Sequence, residues 1–414
     1  MVMAPGNSQL FQIGLDLVYP LSPAEHLFVG SPIIVREQEP SSIIAFTLLD
    51  SEFRKEVQNI FENARVGSDT IRNANDTDKQ SHRSSVSSLS EPASSPSPVN
   101  EFVQAPPPRS DDEVIERIML NSLGHHVSFK RTAGRVKFAC QVFYAAQFEA
   151  LRRCNGCEDS FIESLSRCNP YVAQGGKSGS AFLRTLDERF IIKEIKSAEA
   201  DAFLKFAPFY FEHMFWNWTY REERPTVLAK IFGFCSVSFH NKATGKKLKT
   251  MNVVIMENLF YGRKCSRFFD LKGSERNRMA DETVANAVLQ DENMLMYIRD
   301  NPICIRQQTK RHLHAAIWND TLFLSKMNVM DYSLLVGFDE NSKELVVGII
   351  DFIRTFTWDK QLESWVKEAG ILGGGGKGPT IVSPKQYKTR FRDAMKRYFM
   401  MVPDKFYVPS DDDE

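Results

Sequence analysis

Residues 330–337 read Met-Asp-Tyr-Ser-Leu-Leu-Val-Gly, and residues 348–353 read Gly-Ile-Ile-Asp-Phe-Ile. Asp331 stands directly before one apolar run, and Asp351 ends another, twenty residues later. The two runs predict strands over 333–338 and 345–350 that pair as a hairpin. The two aspartates would then lie at the ends of that hairpin, where one can orient a hydroxyl group and the other can hold Mg²⁺. Either aspartate taken alone is more often an ordinary turn residue.

A glycine-rich loop lies upstream, between two predicted strands. Residues 174–182 read Gln-Gly-Gly-Lys-Ser-Gly-Ser-Ala-Phe. Glycines let backbone N–H groups approach phosphate oxygens without interference from a Cβ. The loop matches neither the Walker A pattern nor the dinucleotide pattern, and a plain hairpin turn is the more common explanation for such a loop alone. The predicted phosphate-binding residues are Gly175, Gly176, Lys177, Ser178 and Gly179.

Lys193 strengthens that prediction, because it is the one charge in the apolar run 190–193. Its spacing from the loop matches the lysine that grips ATP phosphates in protein-kinase-like folds. Such a lysine needs a carboxylate on the next helix. Glu199 and Asp201 are both candidates, and we prefer Glu199. The His-Arg-Asp triplet is missing, and Val336 stands where a protein kinase carries its later Asn, so a standard protein kinase is disfavoured.

Composition divides the 414 residues into five parts. The predicted parts are a partly ordered extension (1–63), a disordered Ser/Pro-rich linker (64–112), a sheet-rich lobe (113–256), a helix-rich lobe (257–408) with a Gly-rich loop at about 359–384, and an acidic tail (409–414). Within the extension, residues 40–49 are predicted to form a helix that docks on the body. A helix over 199–207 is predicted to end before Pro208. A sheet-rich half followed by a helix-rich half predicts an α+β fold with two lobes and a cleft.

The formal net charge is zero, with 52 basic and 52 acidic side chains, but the charges are unevenly distributed. Residues 1–112 hold 8 basic and 15 acidic side chains, and residues 411–414 are all acidic. Residues 113–410 therefore hold 44 basic and 33 acidic side chains, a net charge of +11. Such a basic body suits a phosphate-bearing substrate, a membrane surface or nucleic acid. The composition, 43% hydrophobic and 25% charged, excludes a wholly disordered or collagen-like chain.

The motifs resemble the phosphatidylinositol phosphate kinase family. The resemblance rests on residues 330–337 and 349–351, together with Phe-Asp-Leu-Lys-Gly-Ser-Glu-Arg-Asn-Arg at 269–278. Residues 254–261, 317–324 and 370–384 resemble its type III branch, the phosphatidylinositol 3-phosphate 5-kinases of endosomes and vacuoles. The resemblance covers about residues 113–408. It implies a two-lobed α+β fold, with an antiparallel-sheet N-lobe and a mixed helical C-lobe distantly like those of protein kinases.

The resemblance also implies a reaction and the residues that perform it. A phosphoryl group would pass from ATP, with Mg²⁺ or alternatively Mn²⁺, to the 5-hydroxyl of phosphatidylinositol 3-phosphate. Lys193 would hold the ATP phosphates, Asp331 would be the catalytic-loop aspartate, and Asp351 would bind the metal. The hinge that contacts adenine, largely through backbone groups, would be Met256, Glu257, Asn258 and Leu259. The substrate phosphates would be met by Lys272, Arg276, Arg278 and, on the Gly-rich loop, Lys377.

These expectations extend to partners and location. We expect peripheral contact of the basic face with endosomal or vacuolar membranes, on the cytoplasmic side, regulatory or scaffold proteins as further partners, and no nucleic acid. Long members of the branch also carry a zinc finger and a chaperonin-like domain that do not occur in these residues, so we expect a natural short form or a fragment. The alternatives are a catalytically silent phosphoinositide-binding or scaffolding module, or a kinase of another phosphoinositide or of protein serine.

Overall fold

The structure is a computed structural model that describes Ser22 and residues 24–81, 110–133, 136–171, 181–241, 247–274, 278–284, 287–339, 341–353 and 383–403. The helices are α1 (Pro40–Leu49), α2 (Ser51–Ser81), α3 (Ser110–Met119), α4 (Ala145–Cys154), α5 (Glu158–Leu165), α6 (Ser197–Thr219), α7 (Asp291–Asp300), α8 (Gln307–Lys326) and α9 (Pro384–Tyr398). Among the described residues, no helix is both long enough and apolar enough to cross a membrane.

The strands divide into two main sheets, one in each lobe. The N-lobe strands are β3 (Val127–Ala133), β4 (Val136–Val142), β5 (Cys168–Tyr171), β6 (Phe182–Thr185), β7 (Phe190–Ile195), β8 (Ile231–Asn241) and β9 (Lys247–Glu257). They form one antiparallel sheet in the order β3-β4-β8-β9-β7-β6-β5. The other strands are β1 (Glu25–His26), β2 (Val35–Arg36), β10 (Cys265–Leu271), β11 (Val288–Leu289), β12 (Ile303–Arg306), β13 (Ser333–Asp339), β14 (Glu344–Ile350) and β15 (Phe399–Val402). The α+β class and the two-lobed organisation are confirmed.

The C-lobe sheet is built around the hairpin predicted from the two aspartate-bearing stretches. Its strand order is β11-β10-β13-β14, and β13 pairs with both β10 and β14 in antiparallel fashion. On one face of β13, Leu334 and Val336 are fully buried, as the alternation of side chains along a strand requires. One continuous cluster of buried apolar side chains runs through both lobes.

Helix α1 confirms that part of the N-terminal extension docks on the body. Pro40 stands at its first turn, where a missing N–H costs nothing, and the helix is largely apolar, with Ser41, Ser42 and Thr47 as its polar residues. Every residue from Pro40 to Leu48 is buried. The hydroxyl of Ser41 donates to Cys168 Sγ at 2.9 Å, and the Phe46 ring packs against Phe138 with the centroids 6.0 Å apart. The N-lobe sheet thus shares its core with a segment that precedes it by about eighty residues.

The predicted linker boundaries, 64–112, are wrong at both ends. Helix α2 continues to Ser81, and α3 begins at Ser110. The two helices contact each other where the predicted linker would have begun and ended. Arg65 pairs with Asp111 at 2.8 Å, and Arg117 Nη1 donates to the carbonyl of Ala64 at 3.2 Å. Such tertiary contacts add order that the composition of a single segment does not reveal.

The predicted end of a helix before Pro208 is also wrong, because α6 runs through that proline to Thr219. A proline inside a helix lacks the N–H that would bond the carbonyl four residues earlier, which here belongs to Leu204. The hydroxyl of Tyr144 donates to that carbonyl at 2.7 Å. Tyr144 directly precedes α4, so a side chain sixty residues away replaces the missing backbone donor.

Tyr144→Phe should therefore lower the free energy of unfolding by about 1–2 kcal/mol, because it leaves a buried carbonyl without a donor. In a Pro208→Ala background, the restored backbone N–H can serve the Leu204 carbonyl, and the same substitution should cost much less. Urea denaturation of the four proteins of this double-mutant cycle measures the coupling. Equal costs of Tyr144→Phe in both backgrounds would contradict the assignment.

Candidate active site

Asp331 and Asp351 lie at the same end of the C-lobe hairpin. Ser333 of β13 pairs with Ile350 of β14, so Asp331 precedes the paired region and Asp351 follows it. Both aspartates adopt the left-handed backbone region, with φ of 68° and 62°. Asp and Asn tolerate this region better than most residues, although a strain of order 1–2 kcal/mol remains. The structure therefore brings the predicted pair together in a conformation that functional sites often retain.

Lys193 reaches across the cleft from the N-lobe sheet to Asp351. Its Nζ lies 2.6 Å from Asp351 Oδ1 and 5.4 Å from the centre of the Phe182 ring. The lysine side chain is only 8% exposed, whereas that of Asp351 is 46% exposed. A buried ammonium group requires a partner, and this aspartate supplies it. Asp351 keeps an open side on which further cations can be held.

The predicted Lys193–Glu199 ion pair is wrong, because Lys193 pairs with Asp351 instead. Glu199 occupies the third position of α6, and its carboxylate accepts a hydrogen bond from the backbone N–H of Lys196 at 3.0 Å. This capping arrangement satisfies one of the free N–H groups at the start of a helix. Glu199 therefore caps the start of α6, although the sequence spacing had predicted that it would pair with Lys193.

A second lysine–aspartate pair is formed by Lys272 and Asp331. Lys272 Nζ lies 2.6 Å from Asp331 Oδ1 and 2.8 Å from the Asp331 carbonyl oxygen. The Asp331 side chain is 55% exposed and the Lys272 side chain 20% exposed. Each predicted catalytic aspartate therefore faces one lysine, the first from the C-lobe and the second from the N-lobe. Both carboxylates remain open to solvent on the opposite side.

A buried carboxylate, Asp291, supports the Lys272 segment. Its Oδ1 accepts hydrogen bonds from the backbone N–H of Gly273 at 2.7 Å and from the hydroxyl of Tyr398 at 2.9 Å. Its Oδ2 accepts from the backbone N–H of Lys272 at 3.0 Å and from Arg278 Nε at 2.9 Å. Asp291 is completely buried. A buried carboxylate with this many donors holds the adjoining backbone in one arrangement.

Arg278 was predicted to contact substrate, but it occupies a supporting position. Its guanidinium group contacts both Asp270 and Asp291, and its side chain is 16% exposed. Burial opposes its charge, yet the two carboxylates outweigh that effect and raise the pKa of Arg278. The structure therefore assigns Arg278 to the support of the Lys272 backbone.

The predicted hinge, residues 256–259, contacts both lobes. The N–H of Glu257 donates to the carbonyl of Lys230, and the N–H of Asn258 donates to that of Arg189, both at 2.9 Å. These two N–H groups are therefore used within the protein, and the contact of the other hinge backbone groups with adenine stays a prediction. Leu259 packs against the hairpin, where a Cβ added to Gly348 would lie 2.5 Å from its Cδ1. Met256 is the last hinge residue paired with strands on both sides.

The remaining predicted site residues lie outside the described residues. They are Gly175, Gly176, Lys177, Ser178, Gly179, Arg276 and Lys377. Sequence reasoning also missed Asp291 and the fully buried Asp320 of α8. For Asp320 a signal existed, because it lies within the quoted stretch 317–324. For Asp291 there was none, since its role depends on how the fold places donors that lie 13 to 107 residues away.

The donor set fits Mg²⁺. This ion keeps several waters and binds proteins through one or two carboxylates together with substrate phosphates. Asp351, with Asp331 at the same end of the hairpin, offers such carboxylates. Within the described part of the chain, no cluster of three or more metal-ligating side chains forms a ready-made cage.

Asp291→Asn should destabilise the C-lobe by about 3 kcal/mol, because an amide N–H₂ would face donors that now meet a carboxylate and Arg278 would lose a buried partner. Asp300→Asn, the same substitution at the exposed end of α7, is the matched control and should change stability by less than about 0.5 kcal/mol. Thermal and urea denaturation measure both. Equal stability of the two variants would show that Asp291 does not support the site.

Known proteins resemble this chain over most of its length. The family model described as "Phosphatidylinositol-4-phosphate 5-Kinase" matches residues 165–345 and 339–398. The chain is 44% identical over 432 residues to "1-phosphatidylinositol 3-phosphate 5-kinase FAB1" of Saccharomyces cerevisiae, an alignment that covers 94% of this chain and 19% of the relative. It is 37% identical over 470 residues to "1-phosphatidylinositol 3-phosphate 5-kinase" of Homo sapiens, covering 97% of this chain and 22% of the relative.

The chain thus spans about a fifth of the length of the curated relatives that it matches. "1-phosphatidylinositol-3-phosphate 5-kinase FAB1B" of Arabidopsis thaliana gives the same picture, with 42% identity over 382 residues, 91% of this chain and 21% of the relative. These matches confirm the resemblance predicted from the motifs. Since the family model covers more than half of the 414 residues, the chain belongs to the phosphatidylinositol phosphate kinase family.

Proposed function

We propose that this chain is a lipid kinase region that transfers the γ-phosphoryl group of ATP to the 5-hydroxyl of phosphatidylinositol 3-phosphate. Two lysine–aspartate pairs at one end of a strand hairpin are the observation that carries the proposal. The names of the yeast, human and plant relatives support the choice of lipid. The product would be phosphatidylinositol 3,5-bisphosphate.

The chemistry follows from the positions of the two aspartates. The substrate oxygen would attack the γ-phosphorus, forming a new P–O bond as the bond to the β-phosphate oxygen breaks and ADP leaves with that electron pair. Asp331 would orient the attacking hydroxyl and accept its proton, since half of its side chain is open to solvent. Lys272, 2.6 Å from Asp331, would face negative charge on the acceptor side.

The other pair, Lys193 and Asp351, would bind the nucleotide and its metal ion. Family membership implies ATP as the phosphate donor. Lys193 would turn from Asp351 toward the ATP phosphates, which present more negative charge than one carboxylate. Asp351 would hold Mg²⁺, which when bound neutralises charge on the transferring phosphoryl group. Asp331 and Asp351 are thus assigned different tasks by the lysines that face them.

The lipid side is supported by charge on α9. Residues 383–397 carry six basic side chains and one acidic one. Three of the basic side chains, Lys385, Lys396 and Arg397, are exposed, while Tyr387 and Phe391 on the opposite face are buried. Basic side chains contribute about 1 kcal/mol each near an anionic membrane surface. We propose that this face contacts endosomal or vacuolar membranes on the cytoplasmic side.

Asp331→Asn should reduce lipid phosphorylation at least 100-fold while leaving the fold intact, because Asn tolerates the left-handed backbone but accepts no proton. Asn328→Asp is the matched control, since Asn328 is exposed and shares that backbone region with φ of 54°. It should retain activity near that of the wild type. Transfer of labelled phosphate is measured on liposomes, with denaturation curves for each protein.

The same assay decides between acceptors. Liposomes carrying phosphatidylinositol, its 3-phosphate or its 4-phosphate, and a protein substrate, are compared side by side with wild type. The 3-phosphate should be the best acceptor. A preference for another acceptor would overturn the choice of lipid, and wild-type protein without transfer to any acceptor would favour a silent phosphoinositide-binding module.

A further inference from the structure

The stretch 317–324, which the proposed reaction does not use, contains a buried carboxylate with three donors. Asp320 is completely buried on α8. Its Oδ1 lies 2.9 Å from His213 Nε2 and accepts from the hydroxyl of Thr226 at 2.8 Å, while its Oδ2 accepts from the backbone N–H of Val227 at 2.7 Å. A carboxylate only accepts, so His213 must carry its proton on Nε2. Asp320 therefore joins α6 of the N-lobe, α8 of the C-lobe and residues 226–230, which lie in the segment from α6 to β8.

That connecting segment, residues 226–230, is called here the interlobe strap. It runs beside β14 for a short distance. The N–H of Ile349 donates to the carbonyl of Val227 at 2.6 Å, and the N–H of Ala229 donates to the carbonyl of Ile349 at 2.9 Å. At its other end, Lys230 exchanges hydrogen bonds with Glu257, whose N–H donates to the Lys230 carbonyl at 2.9 Å. The strap thus connects β14 with the end of β9.

These connections end at the two partners of the nucleotide-side ion pair. Asp351 follows Ile349 by two residues, at the end of β14. Lys193 lies on β7, which pairs with β9 so that Lys193 stands opposite Val254. The strap therefore joins the strand that leads to Asp351 to the strand beside Lys193. A shift of the strap would therefore change the separation of these two groups, which is 2.6 Å in the structure.

We propose that Asp320 is a positioning residue that fixes the interlobe strap and, through it, the distance between Asp351 and Lys193. The free energy of unfolding alone does not explain a buried carboxylate at this position, because well-packed apolar side chains often replace a buried charge without loss of stability. A carboxylate does what an apolar group does not, since it orders donors from three separate segments in fixed directions. His213 completes the arrangement by stacking on Phe323, with ring centroids 4.1 Å apart and planes 7° from parallel.

Asp320→Asn tests the claim, because its amide N–H₂ would face donors that now meet an oxygen. The proposal rests on the proposed function, so steady-state lipid phosphorylation is measured at varied ATP concentration. The expected result is a fall in kcat of about 100-fold, the effect of small misplacements at active sites, together with a raised KM for ATP, because both displaced groups serve the nucleotide. Thr226→Val removes one donor only and should give a smaller fall in kcat, which keeps the test decisive if Asp320→Asn fails to fold.

The side chain of residue 213 supplies a test by conservative rescue. His213→Gln keeps an N–H donor able to reach Asp320, whereas His213→Leu keeps bulk without a donor. The proposal predicts that His213→Gln retains at least tenfold more activity than His213→Leu at equal thermal stability. Equal kcat for both variants would overturn it.

Arg131→Gln is the control that distinguishes a positioning role of Asp320 from a general loss of stability. Arg131 pairs with Asp50 at 2.9 Å on the N-lobe, in a contact between β3 and the junction of α1 and α2 that is unconnected with the strap. At matched loss of melting temperature this control should keep wild-type kcat. If it loses as much kcat as Asp320→Asn does, Asp320 has only a structural role and the proposal is wrong.

Hydrogen exchange keeps the inference separate from the proposed function. The backbone N–H groups of Val227 and Ile349 should exchange at least tenfold faster in Asp320→Asn than in wild type, whereas that of Asn258 should change little. If wild type phosphorylates no lipid, the proposed function fails, and these exchange rates still test the strap. Unchanged exchange at both amides would overturn the positioning role, whatever the activity.

Discussion

The ion pair between Lys193 and Asp351 is the contact on which the site depends, because it joins the N-lobe sheet to the C-lobe hairpin. An ammonium group buried to this degree is unfavourable without a nearby negative charge. The requirement fixes the end of β14 beside β7. It explains why Asp351 is held in a left-handed backbone conformation, which points a carboxylate into the cleft at a modest cost in strain.

Four aspartates of the C-lobe fall into two pairs with different surroundings. Asp291 and Asp320 are fully buried, and each accepts hydrogen bonds from several donors, including backbone N–H groups. Asp331 and Asp351 are about half exposed, and each faces a single lysine in the described structure. The buried carboxylates are saturated with donors and hold backbone segments in place. The exposed carboxylates retain capacity for a proton, a metal ion or a substrate hydroxyl, which is what phosphoryl transfer needs.

Local pattern was enough to predict the hairpin and the order of the functional residues. The strands around Val336 and Val347 alternate or run apolar between turn residues, and the aspartates flank them in the sequence itself. Two of the errors share one cause, which is a partner distant in sequence. Helix α6 continues through Pro208 because the Tyr144 hydroxyl donates to the Leu204 carbonyl. Lys193 pairs with Asp351, which lies 158 residues away in the sequence. Net charge was equally uninformative until it was divided by segment.

The central claim is that the two lysine–aspartate pairs have separate tasks, Lys193 with Asp351 on the nucleotide and Lys272 with Asp331 on the acceptor. Calorimetric titration of MgATP into Lys193→Met and Lys272→Met tests this most directly. The account predicts that Lys193→Met weakens MgATP binding roughly 10- to 100-fold, the loss of a charged hydrogen bond. It predicts that Lys272→Met binds MgATP within about threefold of wild type. Equal affinities of the two variants, or wild-type affinity for Lys193→Met, would contradict the account.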